Sequence, residues 1–389
     1  MTETAGMTET AGRSAVRAVS THDPDPAIAV AELRAGLAGA PLAGIILFVS
    51  SRYDLQRLAT ELALGFGALP IAGCTSSGEL TPAGYADGTI TAIGFPAADF
   101  ALTITAFADL GAFDPVAAAA AMRRAVVDAA AASVHLGPGV NHVGLFLVDG
   151  LCTREEIIAM TLQDALGDVP LIGGSSGDDL DFAETFVLNA GRFERDTALV
   201  TIISSPRPMQ VFRSQHFVPT AERMVVTAAD PRRRMVHQIN AEPAAREYAR
   251  IIGNGDEPLS PRVFAAHPLL VRAGASHYVR SIQQANADDS LTFYCAIDEG
   301  IVLTLGTGVD IVENLERQFA ALRAGIGEID MVIGFDCVLN ALEIEQKQLR
   351  REVSALFAAN RVTGFSTYGE QFHALHVNQT FSGLAIGWR

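Results

Sequence analysis

The chain has 389 residues, of which 49% are hydrophobic and 19% are charged, and its formal net charge is −16. A chain of this length and composition can bury more than one hydrophobic core and fill two or three domains, which excludes an intrinsically disordered protein. The 44 acidic against 28 basic residues also argue against a nucleic-acid surface, because binding to phosphates requires clustered cations.

The cysteines and the N-terminal segment predict a cytoplasmic protein. The four cysteines are Cys74, Cys152, Cys295 and Cys337. They are too scattered for a zinc knuckle or a CxxC redox pair, so we expect a reducing compartment. The segment starting at Met1 has no apolar core, which predicts a flexible tail over residues 1–25 and no signal peptide. No apolar run approaches the roughly 20 residues of a membrane helix, so we expect no membrane insertion.

Three similar apolar runs divide the chain into related units. The runs cover residues 44–50, 143–149 and 330–336, and helix-period segments follow them at 54–67, 153–166 and 343–360. Further strands are predicted at 88–95, 197–203 and 376–382. Strands that alternate with helices indicate parallel pairs with helices packed against them. We therefore predict an α/β fold, with layered sheets and three related strand-helix-strand units in two parts.

Each unit ends in a loop rich in glycine and hydroxyl residues. The loops read Gly-Cys-Thr-Ser-Ser-Gly-Glu at 73–79, Gly-Gly-Ser-Ser-Gly-Asp at 173–178 and Gly-Phe-Ser-Thr-Tyr-Gly-Glu at 364–370. Glycines suit tight turns and close backbone approaches. Loops at the carboxyl ends of parallel strands also suit a ligand crevice, and both interpretations stay open. The candidate polar groups of such a crevice are Thr75, Ser76, Glu79, Ser175, Ser366 and Glu370.

These loops, with Gly84-Tyr-Ala-Asp-Gly-Thr-Ile and the late Asn378-Gln-Thr, resemble the FIST sensory-domain family in order and spacing. The resemblance spans almost the whole chain after residue 25. It implies a FIST N-like sensory domain with two units over 26–215 and a FIST C-like domain with the third unit over 216–389. It also implies a ligand-sensing module that works with signalling proteins, and no enzyme.

The stretch 212–227, followed by Asp-Pro-Arg-Arg-Arg at 230–234, resembles the haem-binding, nitric-oxide-sensing NosP branch of this family. A glycine and a tryptophan are more usual in the wider family near the positions of His216 and Phe217. This resemblance implies haem b with His216 as the metal ligand and Phe212, Arg213, Phe217 and Arg223 as further haem-binding residues. A haem sensor needs one imidazole, an apolar pocket and cations for the propionates, and the two arginines suit the propionates.

The same resemblance implies nitric oxide as the signal. A partner histidine kinase in a two-component or cyclic-di-GMP pathway would receive it, and a homodimer is left open. His216 equally suits a buried structural residue, and His373, His376 and Cys74 are alternative ligands. The alternative function is a haem-free sensory module that binds an amino acid or another metabolite at the glycine loops.

The sequence offers little support for catalysis. The glycine loops do not place a serine in a G-x-S-x-G elbow between a strand and a helix, and no histidine and acid can be assigned to the serines of the loops or to Cys152. Lys347 is the sole lysine and lies outside any P-loop motif. We expect a non-enzymatic protein whose signal leaves through a partner, with the helix predicted at 343–360 as one candidate surface.

Overall fold

The computed structural model describes residues 15–255, 257–274 and 276–388. It contains three units of the same order: strand, helix, strand, helix, strand, hairpin and strand. The helices that begin at Pro26, Leu55, Pro115 and Ile311 each follow an aspartate whose carboxylate accepts one or more backbone N–H groups of the first turn. Within the described residues, no helix is long and apolar enough to span a membrane.

The first two units follow one another along the chain. Unit 1 comprises β1 (Arg17–Thr21), α1 (Pro26–Leu37), β2 (Leu42–Ser50), α2 (Leu55–Phe66), β3 (Ile71–Ser76), β4 (Glu79–Thr81), β5 (Gly84–Ala86) and β6 (Ile90–Pro96). Unit 2 comprises β7 (Ala101–Phe107), α3 (Pro115–Ala132), β8 (Asn141–Val148), α4 (Glu155–Leu166), β9 (Leu171–Ser175), β10 (Val187–Asn189), β11 (Arg192–Glu194) and β12 (Ala198–Ser205).

Unit 3 is interrupted after its first strand, β13 (Met209–Ser214), by an inserted sheet domain. The insert comprises β14 (Phe217–Asp230), β15 (Met235–Ile239), β16 (Glu242–Pro243), α5 (Ala244–Ile252), α6 (Pro261–Ala266), β17 (Leu269–Ala273), β18 (Ser276–Arg280), β19 (Ile282–Ala285), β20 (Leu291–Phe293) and β21 (Val302–Gly308). Unit 3 then continues with α7 (Ile311–Ile326), β22 (Ile329–Cys337), α8 (Val338–Gln346), α9 (Arg350–Ala359), β23 (Val362–Thr367), β24 (Glu370–Phe372), β25 (Leu375–Val377) and β26 (Phe381–Gly387).

Each unit adds its hairpin to the sheet of another unit. The hairpin of unit 1 joins the sheet of unit 3, that of unit 2 joins unit 1, and that of unit 3 joins unit 2. The sheet orders are β1-β6-β2-β3-β10-β11, β25-β24-β9-β8-β12-β7 and β13-β26-β22-β23-β4-β5. Each sheet thus has one parallel pair at its centre and ends in a hairpin from another unit. The register repeats as well: Leu188, Gln371 and Leu80 of the three hairpins lie opposite Gly73, Gly173 and Gly364. The predicted α/β class is confirmed, and the three predicted units form three interlocked mixed sheets.

The three sheets pack around one shared hydrophobic core. Phe48 of β2 stacks on Phe365 of β23 with ring centroids 4.6 Å apart, and Leu147 of β8 belongs to the same buried cluster. The insert has its own core between one face of its sheet and the helices α5 and α6. The shared core fixes the ends of all three parallel pairs relative to one another.

Three element predictions were wrong in part. Residues 17–21, assigned to the tail, form β1 on the edge of β6, whereas residues 1–14 lie outside the described residues. The helix predicted at 343–360 is two helices, because Gln348 adopts a φ of 58° between α8 and α9. The strand predicted at 376–382 is broken, because the chain must cross from the exchanged hairpin to β26 in another sheet.

Candidate functional site

The loop glycines have a structural role at the start of each loop. A Cβ on Gly73, Gly173 or Gly364 would overlap a carbonyl oxygen of the parallel neighbour strand. The strands of the three central pairs approach too closely at these positions for any larger residue. This part of the loop pattern therefore reflects packing, as the first of the two interpretations held.

The loop carboxylates Glu79 and Glu370 are buried, and each forms hydrogen bonds within its own unit. Each accepts from the backbone N–H and the hydroxyl of a threonine ten residues later, Thr89 at 2.9 and 2.7 Å and Thr380 at 3.2 and 2.6 Å. Burial raises the pKa of Glu79 to about 7 and that of Glu370 well above its usual range. Asp178 of unit 2 differs, since it accepts from three successive backbone N–H groups at 182–184.

A cavity of about 710 Å³ lies beside these loops, at the carboxyl ends of β2 and β23. Residues of all three units border it. They include Ser51, Arg52, Ser77, Tyr85 and Asp87 of unit 1, Asp179 and Asp181 of unit 2, and Val338, Ala341, Leu342, Glu345, Arg350 and Ser366 of unit 3. Its volume falls in the range typical of small-molecule sites. A ligand here would contact all three units at once, and we call this space the inter-unit cavity.

Charges of both signs line the inter-unit cavity. Arg52 pairs with Asp179 at 3.1 Å, and Arg350 pairs with Asp87 at 2.6 Å. The other two acids of the lining, Asp181 and Glu345, have no ion pair among the described residues. The cavity therefore combines two paired arginines with two carboxylates that remain available.

One hydroxyl and one buried carboxyl complete the site. The Ser77 hydroxyl is buried and has no hydrogen-bond partner within the described residues, although it borders the cavity. Beneath the cavity, the Tyr85 hydroxyl donates to Asp336 at 2.6 Å, and the Asn340 amide donates to the other oxygen of Asp336 at 2.6 Å. Burial raises the pKa of Asp336 to about 7.

Of the predicted crevice residues, Ser366 borders the inter-unit cavity. Ser76 instead donates to Glu79, Thr75 bonds with the backbone of Phe186, and Ser175 accepts from Gln371. The sequence reasoning missed Ser77, the acidic loop at 179–181 and the face of α8. The run Asp178-Asp-Leu-Asp was the available signal for that loop, because it directly follows a glycine motif.

His216 is buried, and its imidazole contacts a carboxylate. Its Nε2 lies 2.8 Å from Oε2 of Glu343 on α8, and its ring lies 4.0 Å from the ring of Phe217. Glu343 also pairs with Lys347 at 2.6 Å. Burial raises the pKa of Glu343, but the bonds from His216 and Lys347 outweigh it and shift this pKa below its ordinary value.

The other predicted haem-binding residues lie in different surroundings. Phe212 packs on Phe381 in the core of unit 3, whereas Phe217 belongs to a small cluster in the insert. The Arg213 guanidinium lies over the ring of Tyr278, and Arg223 borders a separate groove. As arranged here, these residues and His216 do not form a haem pocket, since the nitrogen that would bind iron already contacts a carboxylate.

The alternative ligands lie elsewhere. Cys74 is buried under the first loop, and burial raises the pKa of its thiol. His373 lies in the turn between β24 and β25, whereas the buried His376 has its Nδ1 2.8 Å from the Gln371 amide nitrogen. Within the described part of the chain, no group of three or more His, Cys, Asp or Glu side chains could hold a metal ion.

Comparison with known proteins agrees with this architecture. The FIST N domain matches residues 43–242, and the FIST C domain matches residues 244–373. A comparison with curated proteins finds no match. FIST domains are sensory domains for small ligands in signalling proteins. The two domain matches together cover most of the sequence, and the chain belongs to the FIST family.

Proposed function

We propose that this protein senses a small zwitterionic metabolite, such as an amino acid, in the inter-unit cavity. The observation that carries the proposal is the lining, where all three units contribute polar side chains to one space of about 710 Å³. Open α/β sheets bind ligands at this position, outside the carboxyl ends of parallel strands. A ligand that contacts all three units would stabilise the state in which they form this cavity, and a sensor acts through such differential binding.

The charge distribution supports a zwitterion. Asp181 and Glu345 carry carboxylates without an ion pair among the described residues, and these suit a ligand ammonium group. Arg350, held by Asp87, can bind a ligand carboxylate. The apolar side chains of Val338 and Leu342 border the same space and suit an aliphatic side chain.

The unpartnered Ser77 hydroxyl supports a polar ligand. A buried hydroxyl without a partner costs about 1–3 kcal/mol. A ligand oxygen or nitrogen that bonds to Ser77 would remove this cost, which an apolar ligand could not do. The hydroxyl therefore favours polar ligands over purely hydrophobic ones.

A thermal-shift screen with each of the twenty amino acids tests the proposal. A ligand that binds only the folded state raises the melting temperature, and the rise grows with the ratio of ligand concentration to Kd. We expect at least one amino acid to raise it, and we expect the shift to fall sharply in the D181N/E345Q variant. The D128N/E316Q variant makes the same charge change at exposed residues outside the cavity and should respond like the wild type. Absence of any shift, or an equal shift in D181N/E345Q, would contradict the proposal.

Haem-based nitric-oxide sensing with a partner histidine kinase stays a prediction of the sequence resemblance. It requires that the contact between His216 and Glu343 open, because Nε2 of His216 would have to bind the iron. Purification with added haem, followed by absorption spectroscopy with and without nitric oxide, tests it. A stoichiometric Soret band that is changed in H216A would support it, whereas absence of haem in the wild type would exclude it.

A further inference from the structure

The sheet of the insert presents one outward face whose residues are fixed by strand register. Arg223 lies opposite Thr304, and Val225 lies opposite Val302, across β14 and β21. Residues directly opposite in antiparallel strands share a face. Met224 and Leu303, which alternate with these residues, pack into the core of the insert. The first set therefore lies on the side of the sheet turned away from that core.

A second arginine and a histidine extend the same face. Arg272 lies opposite His277 across β17 and β18, and Leu270, two residues before Arg272, lies opposite Thr304. Arg223, Arg272 and His277 border one groove of about 550 Å³ with Thr220, Val271 and Val302. We call it the cationic groove.

Among the described residues, those that line the cationic groove include no acidic side chain. Neither Arg223 nor Arg272 forms an ion pair with a carboxylate among the described residues, and Arg272 bonds only to the carbonyl oxygen of Gly274. In a chain with a net charge of −16, this is a local concentration of unneutralised positive charge.

Exposed aliphatic side chains accompany the cations. Val225 and Val302 are 38% and 49% exposed. A charged groove flanked by apolar side chains is typical of a surface that binds another protein, since small inorganic anions gain nothing from the valines.

The sheet that bears the cationic groove also contacts the helix that borders the inter-unit cavity. The position of a Cβ on Gly308, the last residue of β21, is 3.2 Å from the Glu343 carboxylate of α8. The opposite faces of α8 thus contact the cavity through Ala341 and Leu342 and the insert through Glu343. Helix α8 therefore connects the inter-unit cavity to the sheet that bears the cationic groove.

We propose that the cationic groove docks an acidic segment of a partner protein, with carboxylates on Arg223 and Arg272 and aliphatic side chains on Val225 and Val302. A second copy of this chain is a poorer occupant, because two chains of net charge −16 repel one another. The docking does not depend on which ligand the inter-unit cavity holds.

Fluorescence anisotropy with a labelled (Glu-Val)4 peptide at low salt tests the proposal. We expect saturable binding to the whole protein, at least tenfold weaker binding in R223Q/R272Q, and weaker binding of a (Gln-Val)4 peptide. The R123Q/R124Q variant removes two exposed arginines of α3 and should bind (Glu-Val)4 like the wild type. Circular dichroism of each variant confirms that it is folded.

Three outcomes would overturn the proposal. The first is equal binding of (Glu-Val)4 to the wild type and the folded R223Q/R272Q variant. The second is full displacement of the peptide by inorganic phosphate at equal concentration, which would indicate a small-anion site. The third is a dimer, seen in sedimentation velocity, that R223Q/R272Q dissociates, which would assign the groove to self-association.

Discussion

The hydroxyl of Tyr85 donates a hydrogen bond of 2.6 Å to Asp336, and this bond joins the hairpin of unit 1 to the central strand of unit 3. Tyr85 also borders the inter-unit cavity. The equivalent residues of the other two hairpins, by register, are Phe193 and His376. Tyr85 thus combines a position at the inter-unit cavity with a hydrogen bond to a buried carboxyl group.

The pH dependence of stability should depend on Asp336. Burial raises its pKa from 3.8 to about 7, so the folded state favours the neutral carboxyl group. The contribution of the neutral carboxyl group to the free energy of unfolding is complete below the pKa that Asp336 has in the unfolded chain. It is lost as the pH rises through the folded-state pKa of about 7. We expect the free energy of unfolding of D336N, relative to wild type, to increase between pH 5 and pH 7, at about 1.4 kcal/mol per pH unit at most.

Urea denaturation at several pH values provides this measurement. Asparagine has the shape of a neutral aspartic acid, and its side-chain oxygen can still accept the hydrogen bond from the Tyr85 hydroxyl. A difference between D336N and wild type that stays constant across this pH range would show that Asp336 is charged in the folded protein.

Removal of the Tyr85 hydroxyl should weaken the junction between units 1 and 3. We expect Y85F to lower the free energy of unfolding by about 1–2 kcal/mol, because a buried bond to Asp336 is lost while the ring still fits. The Y85F/D336N double variant should lose less than the sum of the single losses. Additive losses in urea denaturation would mean that the two side chains do not interact.

The loop glycines should tolerate no side chain. A Cβ at Gly173 would overlap the carbonyl oxygen of Phe146, so we expect G173A to lose about 3 kcal/mol or more of unfolding free energy. Gly111 is the matched control, because the nearest atom to its added Cβ is 3.6 Å away. Equal melting temperatures for G173A and G111A would disprove the close approach of β8 and β9.

The pair of His216 and Glu343 should stabilise the contact between the insert and unit 3 without any haem. Both side chains are buried, and removal of one partner from a buried pair typically costs about 3–5 kcal/mol. We expect H216A and E343Q each to lower the unfolding free energy, and the double variant to be no less stable than the worse single variant. Full additivity in haem-free protein would contradict a direct pair.

The sequence predicted the elements that repeat and missed how they combine. The apolar runs became β2, β8 and β22, because buried parallel strands are continuous hydrophobic runs. The exchange of hairpins was not predictable, since the pairing of Leu188 with Gly73 joins segments more than a hundred residues apart. The contact between His216 and Glu343 was not predictable for the same reason, because Glu343 is distant in sequence and lies in a segment that was predicted as an exposed surface.

The most direct test of the sensory proposal is to fill the inter-unit cavity. Ala341 of α8 borders it, and an A341F substitution places a ring in the space proposed for the ligand. A355F adds the same ring at an exposed position of α9 and serves as the control. Calorimetric titration with the amino acid that most stabilises the wild type should show binding to wild type and A355F and none to folded A341F. Undiminished binding to A341F would contradict the assignment of the ligand to this cavity.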